Sequence, residues 1–154
     1  MISFSIDLLK NQDIHFEGQE PSSFLQIENS EMMKFKDNIY YKLHASMVSN
    51  KILVKGSASC TYEGLCGRCL KKFNGTFSNS NICLFYEELY GAELDISENI
   101  RENLLIEMPL NCICKDNCKG LCHTCGADLN KKQCNCKEDD NKENPWDSLN
   151  KLKL

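Results

Sequence analysis

Eight of the chain's eleven cysteines fall into four close pairs, and those pairs lie in two distant places. Cys66-x2-Cys69 stands alone, whereas Cys114-x3-Cys118, Cys122-x2-Cys125 and Cys134-x-Cys136 crowd one segment. A close pair can offer two thiolates to one metal ion, and tetrahedral zinc takes four. The count therefore predicts two structural zinc ions. Between Asn111 and Cys136 there is almost no core-forming sequence, so the order of that segment has to come from metal.

At 154 residues the chain is one domain of ordinary size, or one with a small metal-stapled appendage. Hydrophobic content of 42% and charged content of 26% describe a globular chain, which needs no cysteines merely to bury a core. No apolar run reaches the length of a membrane-spanning helix, so no membrane partner is expected. The start, Met1 to Asp7, has neither a secretory leader's basic and apolar regions nor a transit peptide's arginines. The expected address is cytoplasmic, where thiols stay reduced and serve as metal ligands rather than disulfides.

The fold class expected is α+β, a twisted antiparallel β-sheet domain with one packed helix and a C-terminal Cys-rich zinc-binding segment. Residues 1–110 form the β-rich body, 111–137 the zinc-binding segment, and 138–154 a charged tail with a short docking helix. Ile39–Val48 is rich in strand formers, Ser49-Asn50-Lys51 supplies a turn, and Ile52–Tyr62 returns as a second strand. A strand or short helix opens the chain, a short strand follows around 14–16, and a further strand runs from Thr76-Phe77 to Tyr86. No element is assigned to 19–37. Ser97 is a candidate N-cap for a helix over 97–108, with Ile100, Leu104, Leu105 and Met108 on one face and Pro109 as its stop. In the tail, Trp146, Leu149 and Leu152 could dock back on the body.

Cys122-His123-Thr124-Cys125-Gly126 has the shape of a zinc knuckle, with Gly126 free to adopt the left-handed backbone that turns amides toward the sulfurs. Cys134 and Cys136 can complete its four ligands. Cys66/Cys69 and Cys114/Cys118 then remain as half-sites that could join each other. Alternatively, Cys114/Cys118 could pair with the knuckle and leave Cys134/Cys136 over. Cys60, Cys83 and Cys112 read as small buried apolar residues or as incidental. His15, His44 and His123 are isolated in sequence.

A Cys-x2-Cys dithiol can also exchange disulfides, but that chemistry wants a helix N-terminus after a strand, and here the motif ends a β-hairpin. Closed four-thiolate sites leave no open coordination position for catalysis. No nucleophile–base pair, phosphate loop or carboxylate pair is present, so neither an enzymatic role nor a small-molecule substrate is expected.

Net charge is −4, yet positive charge follows the cysteines. Residues 51–73 carry five cations against Glu63 alone, a local +4, and 111–137 carry five lysines against Asp116 and Asp128, a local +3. The stretch between, 74–110, is −6. These cations either offset the −2 of a zinc tetrathiolate or form a face for phosphate backbones.

Taken in order, the residues resemble the YceD family, large ribosomal RNA subunit accumulation proteins. The likeness is carried by Val54-Lys55-Gly56, then Cys66-x-Arg68-Cys69-Leu70 with Phe73, and Leu105 through Pro109. It continues through Cys114-Lys-Asp-Asn-Cys118-Lys-Gly-Leu-Cys122-x-x-Cys125-Gly-Ala-Asp-Leu-Asn130, Cys134-x-Cys136 and Asn144-Pro145-Trp146. His123 stands where members commonly have Pro, which leaves the ligands intact. The resemblance implies a non-enzymatic ribosome-biogenesis factor that promotes accumulation or processing of large-subunit (23S) rRNA. It also favours joining Cys66/Cys69 to Cys114/Cys118. The partner expected is rRNA or its precursor, contacted by Arg68, Lys71, Lys72, Lys115, Lys119, Lys131 and Lys132. The alternatives are an adaptor for a ribosomal protein or RNA-processing enzyme and, behind it, a thiol–disulfide redox protein.

Overall fold

The computed structural model describes residues 1–87 and 92–136, and divides the chain into two compact units, Met1–Cys118 and Lys119–Leu154. The expected tail with Trp146, Leu149 and Leu152 lies outside the described residues. In the first unit β1 (Ser3–Ser5) runs into a one-turn helix α1 (Ile6–Leu9), so the opening segment is both a strand and a helix. Then follow β2 (Ile14–Glu20), a 3-10 turn (Ser22–Leu25), β3 (Met33–Lys34), β4 (Ile39–Val48), β5 (Lys51–Leu65), β6 (Lys72–Tyr86), β7 (Glu93–Asp95) and α2 (Ser97–Ile106). Antiparallel sheet with few helices is the α+β arrangement that the sequence indicates.

β5 is the spine of the main sheet. β4 pairs along Lys51 to Cys60 and β3 along Glu63 and Gly64, while β6 runs down the other side for the whole length of β5. β2 completes the sheet outside β4. Alternation decides which face is buried: Ile52, Val54, Ala58, Cys60, Tyr62 and Gly64 point inward from β5, and Ile39, Leu43 and Ala45 from β4. The further strand expected from Thr76 starts earlier, at Lys72. A bulge between Gly56 and Ala58 leaves one more residue on β6 than on β5, so Phe77 and Ile82 both reach the core despite their odd spacing.

α2 covers that core with Ile100 and Leu104, both fully buried. Tyr86 Oη donates to Asn99 Oδ1 (2.7 Å), and Asn79 Nδ2 donates to the Asn103 carbonyl (3.2 Å). The helix closes at Ile106, two residues short of the expected end, and Ser97 is its first helical residue rather than its cap. The Asp95 carboxylate accepts the Ser97 N–H (2.9 Å) instead, and Ser97 Oγ accepts from Ile2 N–H (2.7 Å), pinning the N-terminal strand to the helix. Among the described residues no helix is long and apolar enough to cross a membrane.

Candidate metal centres

The turn between β5 and β6 is a cysteine knuckle. Cys66 N–H donates to the Lys71 carbonyl (2.8 Å) and Leu70 N–H to the Cys66 carbonyl (2.8 Å), with Leu70 in the left-handed region at φ 56°. The segment after α2 comes up against this turn. Gly67 N–H donates to the Cys112 carbonyl (2.8 Å), and Arg68 Nη1 donates to the carbonyls of Asp116 (3.2 Å) and Cys118 (3.1 Å). These bonds bring Cys66, Cys69, Cys114 and Cys118 together, all four sulfurs within 4.8 Å of one another. Cys66, Cys69 and Cys118 are buried and Cys114 partly so. Of the two combinations open in the sequence, the geometry has the one that joins the hairpin turn to the post-helix segment.

The second unit repeats the device. Cys122 N–H donates to the Ala127 carbonyl (2.9 Å) and Gly126 N–H to the Cys122 carbonyl (2.9 Å), with Gly126 at φ 69°. Cys122, Cys125, Cys134 and Cys136 again place four sulfurs within 4.8 Å of one another. Side chains that the cysteine count did not single out hold this loop. Asn130 Oδ1 accepts the Lys119 N–H (2.9 Å), and Asp128 Oδ1 accepts from the Asn130 N–H (3.0 Å). The Leu-Asn of the family string was the available signal.

Both donor sets fit zinc. A tetrahedron with arms of about 2.3 Å has edges of about 3.8 Å. Cys66 and Cys118 sulfurs lie 3.9 Å apart and those of Cys69 and Cys114 3.7 Å, far beyond disulfide length and close to that edge. Charge points the same way. Burial opposes ionisation of Cys66, but backbone N–H groups of Cys114, Cys69 and Arg68 aimed at its sulfur bring it down to about 6. Cys122 also comes down to about 6, chiefly through the N–H groups of Cys125 and Thr124. Burial, then the neighbouring thiols, push Cys114 up to about 12, and the Cys125 thiol followed by burial does the same to Cys136. One thiolate per cluster is thus prepared by the backbone, and a divalent cation is what lets the others ionise beside it.

The expected phosphate contacts are all exposed: Arg68 and Lys71 on the hairpin turn, Lys72 at the start of β6, Lys115 between two ligands, and Lys119, Lys131 and Lys132 in the second unit. Arg68 is nevertheless committed to the two carbonyls named above. Lys72 lies 3.6 Å from Glu63, which also holds Lys36 at 2.9 Å. Cys60 and Cys112 are buried, and burial pushes Cys60 up to about 11, whereas Cys83 is exposed on β6. His123 is exposed between its flanking ligands. His15 and His44, distant in sequence, are partners across β2 and β4 and stack with ring centroids 4.2 Å apart.

Residues 85–153 match the family model described as Large ribosomal RNA subunit accumulation protein YceD. The chain is also similar to the chloroplastic "Large ribosomal RNA subunit accumulation protein YCED homolog 1" of Zea mays. That match is 52% identical over 46 residues, covering 29% of this chain and 16% of the maize protein. The resemblance to the YceD family holds. The Arabidopsis thaliana protein of the same description is 48% identical over 44 residues, 29% of this chain and 14% of the relative. An uncharacterized protein of Mycobacterium bovis is 26% identical over 102 residues, 56% of this chain and 49% of its own length. The matched stretch thus spans about a sixth of the plant relatives and about half of the mycobacterial one. No solved structure matches. The YceD match takes in α2 and six of the eight clustered cysteines, leaving Cys66 and Cys69 before its start. The family is named for large ribosomal RNA subunit accumulation.

Proposed function

We propose that the chain is a non-enzymatic ribosome-biogenesis factor that promotes accumulation or processing of large-subunit rRNA by binding that RNA, or its precursor, on a zinc-stapled scaffold in the cytoplasm. The observation that carries the reading is the YceD match over 85–153 coinciding with the segment that supplies six of the eight clustered cysteines. Zinc at Cys66, Cys69, Cys114 and Cys118 clasps the hairpin turn to the segment after α2. Zinc at Cys122, Cys125, Cys134 and Cys136 closes the second loop. Lys71, Lys72, Lys115, Lys119, Lys131 and Lys132 supply phosphate contacts. Arg68 adds charge while holding the clasp. With every coordination position taken by thiolate, neither centre has room for a substrate, which favours a binding role over turnover.

Depletion in cells tests the reading: large-subunit rRNA should fall relative to small-subunit rRNA. In vitro, affinity for rRNA fragments should drop steeply with salt and weaken when Lys71 and Lys72 are both changed to Glu. Binding indifferent to both would remove direct phosphate recognition. The acidic net charge of −4 favours a second reading, an adaptor for a ribosomal protein or processing enzyme. Crosslinking in cells separates the two, RNA adducts supporting the first and protein adducts the second.

A further inference from the structure

We infer that the open face of the main sheet, centred on Tyr40, is a stacking platform for an unpaired RNA base. This rests on the rRNA reading above and adds a second contact region, away from the cysteine clusters. Tyr40 points outward from β4 and is 54% exposed, an aromatic ring on the face opposite the core. Register fixes its company. Tyr40 is paired with Gln19 on β2 and with Ser59 on β5, and two residues along β4, Lys42 is paired with Glu17 and Ser57. These six side chains line a hollow of about 470 Å³, within the usual range of small-ligand sites.

The hollow offers what a nucleobase needs. One aromatic ring gives a flat apolar surface, and stacking on it tolerates any base. Around the ring stand groups that read base edges: the Gln19 amide, whose Oε1 already accepts from Asn38 Nδ2 (3.1 Å) and whose nitrogen has no partner among the described residues, and the Ser57 and Ser59 hydroxyls. Phosphates have partners close by. The Lys42–Glu17 pair is highly exposed (79% and 69%), so Lys42 can exchange its carboxylate for a phosphate at little cost. In the next row across the strands lie His15, His44 and Lys55, the last without an ion pair among the described residues. The ligand class is therefore single-stranded RNA; in an A-form duplex the base faces are stacked on one another and cannot reach the ring.

The test uses the full zinc-loaded chain and a 4-thiouridine-substituted single-stranded RNA of about 12 nucleotides. Fluorescence anisotropy should show Tyr40→Ala binding this strand roughly 5- to 150-fold more weakly, with Tyr40→Phe close to the parent. Affinity for a duplex of equal length should be unchanged. On the unaltered chain, photocrosslinks should map to the peptide containing Tyr40, a readout that needs no substitution. If Tyr40→Ala binds the single strand like the parent, or the crosslinks avoid β4, the platform is overturned. The wider rRNA reading survives that result provided Lys71→Glu with Lys72→Glu still weakens binding. Should the parent chain bind no RNA at all, both readings fall together.

Discussion

Leu70 occupies in the first knuckle the left-handed position that Gly126 occupies in the second. The two share one hydrogen-bond pattern, an N–H reaching back to the carbonyl of the knuckle's first cysteine, at 2.8 Å from Leu70 and 2.9 Å from Gly126. Only glycine adopts that backbone without steric cost; a side chain there costs about 1–2 kcal/mol. Leu70 is 59% exposed, so its side chain returns little through burial. The turn is held in this shape by what surrounds it, β5 and β6 on either side and the post-helix segment hydrogen-bonded across it.

Leu70→Gly should therefore stabilise the zinc-loaded chain by about 0.5 kcal/mol, the relieved strain being partly offset by the freer unfolded chain. Gly126→Ala should cost about 1 kcal/mol, for backbone reasons alone, because among the described residues nothing lies within 4 Å of an added Cβ there. Denaturant unfolding of the three proteins measures both. A clear loss of stability in Leu70→Gly would show that the leucine side chain packs against something.

The clusters differ in what they join. The first ties the β5–β6 turn to a segment beyond α2, with three of its sulfurs buried; the second closes a short loop in which Cys125 and Cys136 are exposed. A limiting chelator should therefore take zinc from the second cluster first, leaving the thermal transition of the sheet in place. Cys125→Ser should cost one of the two metal ions and little body stability. Cys66→Ser should also cost one, but lower the main transition sharply, since zinc binding and folding free energy are one quantity at a site absent from the unfolded chain. Metal analysis with calorimetry decides, and equal effects of the two substitutions would refute the division.

Proton release follows from the thiols. Above about pH 6, Cys66 and Cys122 are already ionised. Cys114 and Cys136, pushed up to about 12, remain protonated, as do Cys69 and Cys134, whose thiols are also raised above their ordinary value. Zinc must displace those protons, so binding near neutral pH should release at least two per ion, and affinity should rise with pH. Below about pH 6 the dependence should steepen, because Cys66 and Cys122 then hold protons as well. Titration calorimetry in buffers of different ionisation enthalpy counts them. A pH-independent affinity between about 6 and 8 would contradict the assignment.

The pairing of β4 with β5 was legible because strand formers fill Ile39–Val48 and Ile52–Tyr62, with turn residues between. The cysteine spacing marked both clusters, but which half-sites meet depends on where the chain returns after α2, and spacing says nothing of that. The early part of β6, Lys72 to Gly75, was hidden by its composition, since Lys72, Asn74 and Gly75 look like loop. Leu70 was hidden differently, since the left-handed turn is signalled by glycine and this knuckle has leucine at that position, its one glycine, Gly67, lying three residues earlier. His15 and His44 looked isolated because only strand register makes them neighbours.

Arg68 separates a positioning role from direct phosphate contact. Its Nη1 donates to the carbonyls of Asp116 and Cys118, so it straps one ligand pair to the other while its side chain remains exposed. If strapping is its role, Arg68→Ala should speed zinc loss from the first cluster to a chelator and lower stability by about 1 kcal/mol, with exposure limiting the effect. The slope of log affinity against log salt for rRNA should then stay as it was. A phosphate contact predicts the reverse pattern, with zinc retention unchanged and that slope reduced by roughly 0.7–0.9. Lys72→Ala is the matched control, since among the described residues Lys72 pairs with Glu63 and makes no bond across the clasp: it should shift the salt slope and leave zinc retention alone. If Arg68→Ala behaves like Lys72→Ala in both measurements, the strap contributes nothing and Arg68 joins the phosphate contacts.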